Sequence, residues 1–264
     1  MKPAPLPWVT VVTPSFNQAP FLEQTIRSVL SQDYPRIKYI VVDGGSTDGS
    51  LELIKQYADR LHWWVSEKDQ GQTDALNKGF AHARGEIYAW LNSDDTYEPG
   101  AVGEAVKFLV NFPEYGMVYA NANYIDEAGG IIGRFPAAQT NYRRLRQGYV
   151  HIPQQTAFFR ASLWRELGPL DPSFFFAMDY DLWTRIARVA DIHYLEDETW
   201  ANFRIHDAGK TLSHDDRCWP EMLRVHYRDG GGNLSLLVAK YHIRKLIAPW
   251  WNARRRRMLN LERT

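Results

Sequence analysis

Cysteine is almost missing from this chain. Cys218 stands alone, which excludes an intrachain disulfide and a cysteine-based zinc site and agrees with a reducing compartment. An excess of either charge is missing too, because Lys plus Arg and Asp plus Glu each total 31. No global field therefore draws the chain to nucleic acid or to an acidic ligand, and charge has to be read locally. No apolar run reaches the roughly 18 residues that cross a bilayer. The opening "MKPAPLPWVTVVTPSF" has one lysine, interrupting prolines and no continuous apolar stretch of the signal-peptide kind. There is no internal repeat, and the only biased tract is the arginine run at 254–257. What remains is 264 residues, 45% hydrophobic and 14% aromatic. That suffices for a sizeable core, in one large α/β domain or a domain with an appendage. A cytoplasmic protein is the default expectation.

The first hundred residues alternate between two periods. "WVTVVTP" is a β-branched run broken by Pro14, and "PFLEQTIRSVLSQ" then sets Phe21, Leu22, Ile26, Val29 and Leu30 on one helical face. "KYIVVDGGSTDGSLELIKQYA" repeats this plan, with Ser46 or Asp48 as a helix cap. "HWWVSEKDQGQTDALNKGFAHARG" and "EIYAWLNSDD" with "GAVGEAVKFLVNF" give two more rounds. Strands alternating with helices predict a Rossmann-like, mostly parallel sheet with right-handed crossovers. Further on, "GMVYANANYIDEAGGIIGRF" predicts an antiparallel pair around a Gly-Gly turn, and a strand is expected near Gln155 to Phe159. A helix should start near Asp179, "DIHYLEDETWANFRIH" should form a strand pair, and the pattern from Ser213 onward is helical.

Ligands of such sheets bind beyond the carboxyl ends of the strands. Those ends here are Thr13 to Asn17, Asp43 to Ser46, Glu67 to Gly71 and Asn92 to Asp95, all polar or turn-forming. Asp94 and Asp95 are adjacent with no neighbouring basic residue in sequence, so they repel unless a cation intervenes. Hard oxygen donors in small number suit Mg²⁺ or Mn²⁺, which keep water and share substrate phosphate oxygens. Asp95 as a helix cap and Asp94 as a solvated turn residue is the alternative.

The ordered series "VVTPSFNQAPFLEQTIRSVLSQ", "YIVVDGGSTDGS", "SEKDQGQTDALNKGFAHARGE" and "LNSDD" resembles the family 2 glycosyltransferases of GT-A fold. The likeness is dense over residues 8–100 and continues through "FFFAMDYDLWTRIAR" and "FRIHDAGKT". It implies an inverting transferase that takes a hexosyl or N-acetylhexosaminyl group from a nucleotide-diphosphate sugar with the help of Mn²⁺ or Mg²⁺. Matched residue by residue, it assigns Thr13, Ser15, Asn17 and Asp43 to the nucleoside. Asp43 would face the base, where a carboxylate can accept the imide N–H of uracil, so UDP is favoured over dTDP and GDP. Asp69, Gly71 and Asn77 would lie beside nucleotide and sugar, with Gly71 and Gly79 letting backbone approach the ligand. Ser93, Asp94 and Asp95 form the acidic turn. The family often has Asp-x-Asp there; this chain has Asn92-Ser93-Asp94, leaving Asp94 as the metal ligand. The general base belongs to a Glu-Asp pair at a helix start, which here reads Met178-Asp179; Asp179 is the first choice and Asp181 the second. "FRIHDAGKT" resembles a segment that closes over the diphosphate, offering Arg204 and Lys210 as cations and His206 as a second metal ligand. "HIPQQTAFF" resembles an acceptor-side segment, with Gln154 and Gln155 facing the acceptor.

Each residue also has a plainer reading. Asp43 and Ser46 could cap a helix after a glycine turn, Asp179 and Asp181 could occupy a helix N-terminus, and the two glutamines could satisfy backbone. Residues 1–212 are expected to form the transferase domain, with 8–100 its nucleotide-sugar half and 101–212 its acceptor half. Residues 213–264 form a helical extension. Its tail, "RKLIAPWWNARRRRMLNLER", has the basic aromatic composition of a membrane interface or of a solvated helix. On the first reading the protein works at the inner face of the cell membrane on a saccharide or lipid-linked saccharide, in cell-surface polysaccharide synthesis. The rival classes are a sugar nucleotidyltransferase and a carbohydrate-binding protein. The former usually needs a Gly-rich basic loop after the first strand, and "TPSFNQAPF" has neither glycine nor lysine. The latter has no use for a base and a diphosphate closure in one chain. Nucleic acid is not expected as a partner.

Overall fold

The computed structural model describes residues 5–207, 209, 210 and 215–246. Its centre is one nine-stranded sheet in the order β3-β2-β1-β4-β8-β6-β9-β5, with β7 paired to β6. The strands are β1 (Val9–Ser15), β2 (Ile37–Asp43), β3 (Trp63–Ser66), β4 (Ile87–Trp90), β5 (Thr96–Tyr97), β6 (Tyr115–Ile125), β7 (Ile131–Arg134), β8 (Phe158–Arg160) and β9 (Asp191–Arg204). Between them lie the helices α1 (Ala19–Leu30), α2 (Ser50–Tyr57), α3 (Gln72–His82), α4 (Ala101–Asn111), α5 (Tyr142–Leu145), α6 (Ala161–Leu167) and α7 (Met178–Val189). They are followed by α8 (Asp215–Arg228) and a helix over 236–246. This is the predicted α/β sheet flanked by helices.

Side-chain alternation explains why these segments become strands with helices on both faces. Val9 and Val11 of β1, Tyr39 and Val41 of β2, and Ile87 and Ala89 of β4 face a core shared with α1, α2 and α4. Val12, Ile40, Val42, Tyr88 and Trp90 face the opposite core, made with α3, α6 and α7. Met222 of α8 and Leu237 of the last helix join that second core. Burying a Val or Ile side chain contributes about 1.5–3 kcal/mol. A one-residue slip would turn each strand's set to the wrong face. β1 to β4 are mutually parallel, so their carboxyl ends finish together: Ser15 is paired with Asp43, and Asp43 with Ser66. β8 then enters antiparallel to both β4 and β6.

Two expectations need correcting. The residues 191–204 form one strand, not a pair. Its register against β6 jumps from Ala120 opposite Leu195 to Asn121 opposite Thr199, and the Asn121 side-chain amide donates to the carbonyls of Glu196 and Glu198 at 2.7 Å. The acidic stretch that resembles a turn is therefore a bulge whose backbone a buried asparagine satisfies. The strand expected from Gln155 starts at Phe158, because Gln154–Thr156 is a 3₁₀ turn. The boundary placed at 212 and the tail from Trp250 to Thr264 lie outside the described residues. Among the described residues no helix is long and apolar enough to cross a membrane.

Candidate active site

A crevice of about 830 Å³ opens beyond the carboxyl ends of β1 to β4. Its floor comes from the loop after each strand, which the parallel register holds side by side. Gly44 N–H donates to the Ser15 carbonyl at 2.8 Å, and Glu67 N–H to that of Asp43 at 3.0 Å. A Cβ on Gly44 would lie 2.6 Å from Asp69 Oδ2, so a side chain there would push the Asp69 carboxylate from its place over the loop. Burial pushes the Asp69 carboxyl above its ordinary value, the Gly71 amide opposes this, and the Asp74 and Asp43 charges add to the rise. Ser15 also lines the crevice, and its buried hydroxyl has no hydrogen-bond partner among the described residues.

The acidic turn after β4 is locked to the end of β9. Asp95 is fully buried and accepts from Arg204 N–H at 3.0 Å, from Gln155 Nε2 at 2.9 Å and from Asn92 Nδ2 at 3.2 Å. Burial, and then the charge of Asp94, push its carboxyl well above the usual range. The Arg204 guanidinium donates to the carbonyls of Asp94, Asp126 and Glu127, each at 2.9 Å, and to Gln24 Oε1 at 2.8 Å. That clamp sets the following His206 on the turn, with Nε2 at 3.1 Å from Asp94 Oδ2. Asp94 and His206 both line the crevice.

A further part of the lining is the start of α7. Asp179 lines the crevice there, and burial raises its carboxyl above the ordinary range while the amide of Tyr180 and the charge of Lys210 oppose the rise. Lys210 reaches Gln72 Oε1 at 2.9 Å and lies 4.2 Å from the Phe175 ring centre. Burial brings its ammonium down to about 8 against the opposing charges of Asp179 and Glu221. Glu221 of α8 closes the entry to α7: its carboxylate accepts from the amides of Phe175 at 2.9 Å and of Phe176 and Ala177 at 2.8 Å. It thereby supplies a capping acid that the chain lacks just before Asp179, where Met178 stands.

Of the residues singled out in the sequence, Ser15, Asp69, Gly71, Ser93, Asp94, Gln154, Gln155, Asp179, Arg204, His206 and Lys210 line the crevice. The others are elsewhere. Thr13 is buried behind the wall, accepting from the Tyr39 hydroxyl at 3.0 Å. Asn17, at φ 52°, clasps the loop after β2, donating its N–H to Ser46 Oγ at 2.8 Å and accepting from Thr47 N–H at 3.0 Å. Asp43 is fully buried, with its oxygens committed to the amides of Gly45 and Ser46 and the hydroxyls of Ser46 and Ser66. It organises the loop that follows β2. Asn77 is bound on both sides to the backbone of Leu170, at 2.8 and 2.9 Å. Gly79 faces the core: a Cβ there would lie 2.4 Å from Val12 Cγ1, so its smallness serves the packing of α3 on β1 and not a ligand. Asp181 points away into ion pairs with Arg185, at 2.9 Å, and with Arg228. It is not placed to act as a base in the crevice.

Three lining residues have polar groups already in use. Arg204 serves as the clamp above, while Gln154 Nε2 donates to the Trp90 carbonyl at 2.8 Å and Gln155 to Asp95. Arg204→Met should therefore lower the stability of the ligand-free protein by roughly 3 kcal/mol, because buried carbonyls lose their donors. A thermal melt reads this directly; an unchanged melting temperature with weaker diphosphate binding would return Arg204 to the ligand. Sequence reasoning put Lys68 and Asn92 at the strand ends without giving either a role, and it missed Gln72 as a wall residue and Glu221 as a cap. Asn92 joins Gln72 Nε2, at 2.7 Å, to Asp95 and to Gln154 Oε1, at 3.1 Å. An amide can donate and accept at once, and an aspartate there would confront the Asp95 carboxylate.

Among the described residues no group of three or more His, Cys, Asp or Glu side chains could hold a metal ion. Asp94 with His206 remains as a pair, one hard oxygen and one largely buried imidazole, both lining the crevice. Such a set fits a cation whose other positions are taken by water and phosphate oxygens.

Comparison with known proteins gives concordant results. A family model described as glycosyl transferase family 2 matches residues 10–168. An uncharacterized glycosyltransferase of Mycobacterium tuberculosis is 33% identical over 187 residues, 70% of this chain and 71% of the relative. One from Rickettsia typhi is 28% identical over 78% of this chain and 66% of its own length. Among solved structures, Staphylococcus aureus TarS 1-349 in complex with UDP-GlcNAc superposes with a TM-score of 0.68 at 17% identity, over 83% of this chain and 64% of TarS 1-349. A mannosyltransferase from Pyrobaculum calidifontis in complex with GDP-Man and Mn²⁺ gives 0.62 at 24% identity, with the same coverage of 83% and 64%. The chain thus spans about two thirds of the length of several of these proteins, and the fold it shares with TarS is GT-A.

Proposed function

The chain belongs to glycosyl transferase family 2, and from that premise we propose that it transfers a sugar, with inversion, from a nucleotide-diphosphate sugar to a hydroxyl of a saccharide or lipid-linked saccharide. The observation that supports this most is one crevice lined both by the Asp94 and His206 pair and by Asp179 with Lys210. A volume of about 830 Å³ is in the range of small-molecule sites, which run to about 1,000 Å³. The unpartnered Ser15 hydroxyl and the Gly44 to Gly45 backbone give the donor polar anchors on the floor.

Asp94 and His206 would hold Mn²⁺ or Mg²⁺, which when bound supplies charge to the leaving diphosphate. Lys210 adds a fixed positive charge on the opposite side of that group. Asp179 then accepts the proton of the acceptor hydroxyl: the oxygen bonds to the anomeric carbon, the carbon–oxygen bond to diphosphate breaks, and its electron pair leaves with the nucleotide. Attack by the acceptor from the side of the ring opposite the leaving group would make the outcome an inversion. Asp43 is spent on its loop, so the nucleobase is left to experiment. Titrating UDP-, dTDP- and GDP-sugars, each with and without Mn²⁺, should give cation-dependent thermal stabilisation by one nucleotide class. No stabilisation by any donor would refute the proposal.

The two titrating groups fix the pH response. Asp179 must be ionised to take a proton, so kcat/KM climbs as pH rises through a value above the ordinary carboxyl range. Lys210 must be charged, so kcat/KM falls again above about pH 8. Lys210→Arg keeps its charge to far higher pH and should delete the falling limb. A falling limb that survives this substitution assigns it to another group.

A further inference from the structure

A second cavity of about 420 Å³ adjoins the donor crevice and shares Val150, Phe176 and Asp179 with it. We infer that it is the acceptor subsite, and that the acceptor it takes is a saccharide carrying a negative charge, a phosphate or a carboxylate. This inference rests on the donor reading above, since it is Asp179 that gives the cavity its meaning.

Besides Phe176, Ala177, Asp179 and Tyr180 around the start of α7, two distant segments build the space. One is 148–151, whose Gly148 has φ 74° and would place a Cβ 2.4 Å from Leu237 Cδ1; the other runs from Cys218 in α8 to Lys240. The turn leading into the first is anchored by two contacts: Tyr180 Oη donates to the Leu145 carbonyl at 2.6 Å, and His226 Nδ1 lies 2.7 Å from the Arg146 carbonyl. The C-terminal helices therefore close this site, whereas the donor crevice is formed chiefly by the strand-end loops.

The walls are apolar and aromatic, with Val150, Phe176, Met222, Tyr149 and Trp219. Such rings take the C–H face of a pyranose. The rim is cationic: Lys240 Nζ lies 3.9 Å from the Tyr149 ring centre, with Arg144 Cζ 5.7 Å from the same ring, and Arg244 Cζ lies 5.5 Å from that of Trp219. The one carboxylate in the lining is Asp179. An acceptor hydroxyl at Asp179 with the sugar ring on these walls sends an acidic substituent towards Lys240. A neutral sugar would meet the same walls without using the rim. This arrangement also replaces Gln154 and Gln155 as the acceptor contacts, since their amides are held by the scaffold.

The test uses the full chain with saturating UDP and Mn²⁺, so that the donor crevice is filled. Ligand-observed saturation-transfer NMR is recorded for glucose 1-phosphate, glucuronate and glucose at equal concentration. An acidic probe should exceed glucose by about fivefold, the scale of one charge-assisted contact, and the stronger of the two acids identifies phosphate or carboxylate. Lys240→Met should bring that probe down to the glucose level, and Trp219→Ala should abolish the signal, with UDP affinity within about twofold in both. Equal signals for glucose and both acids, or an acid preference untouched by Lys240→Met, would overturn the inference. If UDP does not bind the unaltered protein, dTDP or GDP takes its place, and failure of all three strikes the donor reading instead.

Discussion

Asp179→Asn will lower kcat by about two to four orders of magnitude while leaving donor affinity within about twofold. Asparagine keeps the shape of the side chain and its place at the start of α7 but cannot accept the hydroxyl proton. Asp179 sits where burial raises its carboxyl while the charge of Lys210 restrains the rise, which suits a base poised nearer to neutrality than a surface aspartate. The substitution has a second expected effect. The Asp179 charge holds the Lys210 ammonium up, so its removal should move the Lys210 titration to lower pH, visible in donor binding even when turnover is too slow to follow. Full transfer by this variant would place the base elsewhere.

Asp94→Ala will remove the cation dependence of donor binding. Affinity measured in Mn²⁺ should fall by roughly 100-fold, to the level that the unaltered protein shows in chelator, since a divalent ion at a diphosphate contributes several kcal/mol. His206→Ala leaves the carboxylate in place and should lose less. Calorimetric titration with the donor in Mn²⁺ and in EDTA distinguishes the two sites. An Asp94→Ala protein that still binds donor more tightly with Mn²⁺ would assign the cation to other ligands. The neighbouring Asp95 is a separate matter, because its oxygens are bound to Arg204, Gln155 and Asn92 and its loss should be read first in stability.

The alternation of strands and helices over the first hundred residues was legible because each strand there packs on both faces with a strict period of two. The same regularity placed Ser15, Asp69 and Asp94 at one edge. What escaped was contact between distant residues. Nothing local to Glu221 signals that it caps a helix beginning at Met178, and nothing near Asn92 signals partners at Gln72 and Gln154. The resemblance assigned Asp43 and Asn77 to the ligand without any sign of the second use that the structure shows, in which both side chains hold loops to backbone. Arg204 looked like a phosphate cation, yet the carbonyls that it satisfies come from turns more than seventy residues away in sequence. The bulge in β9 resembled a turn because its acidic residues are exposed in sequence terms, and only Asn121 on the neighbouring strand accounts for its backbone.

The central claim is inverting transfer from a nucleotide sugar at the crevice between Asp94 and Asp179. The most direct measurement is ¹H NMR of the anomeric proton during turnover, with the donor that the binding titration selects, Mn²⁺ and an acidic saccharide acceptor. An α-linked donor should give a β-linked first product, and the signal should be absent with Asp179→Asn. A first product that keeps the donor's α configuration would contradict the account, because it requires a second displacement that a single base at Asp179 does not provide.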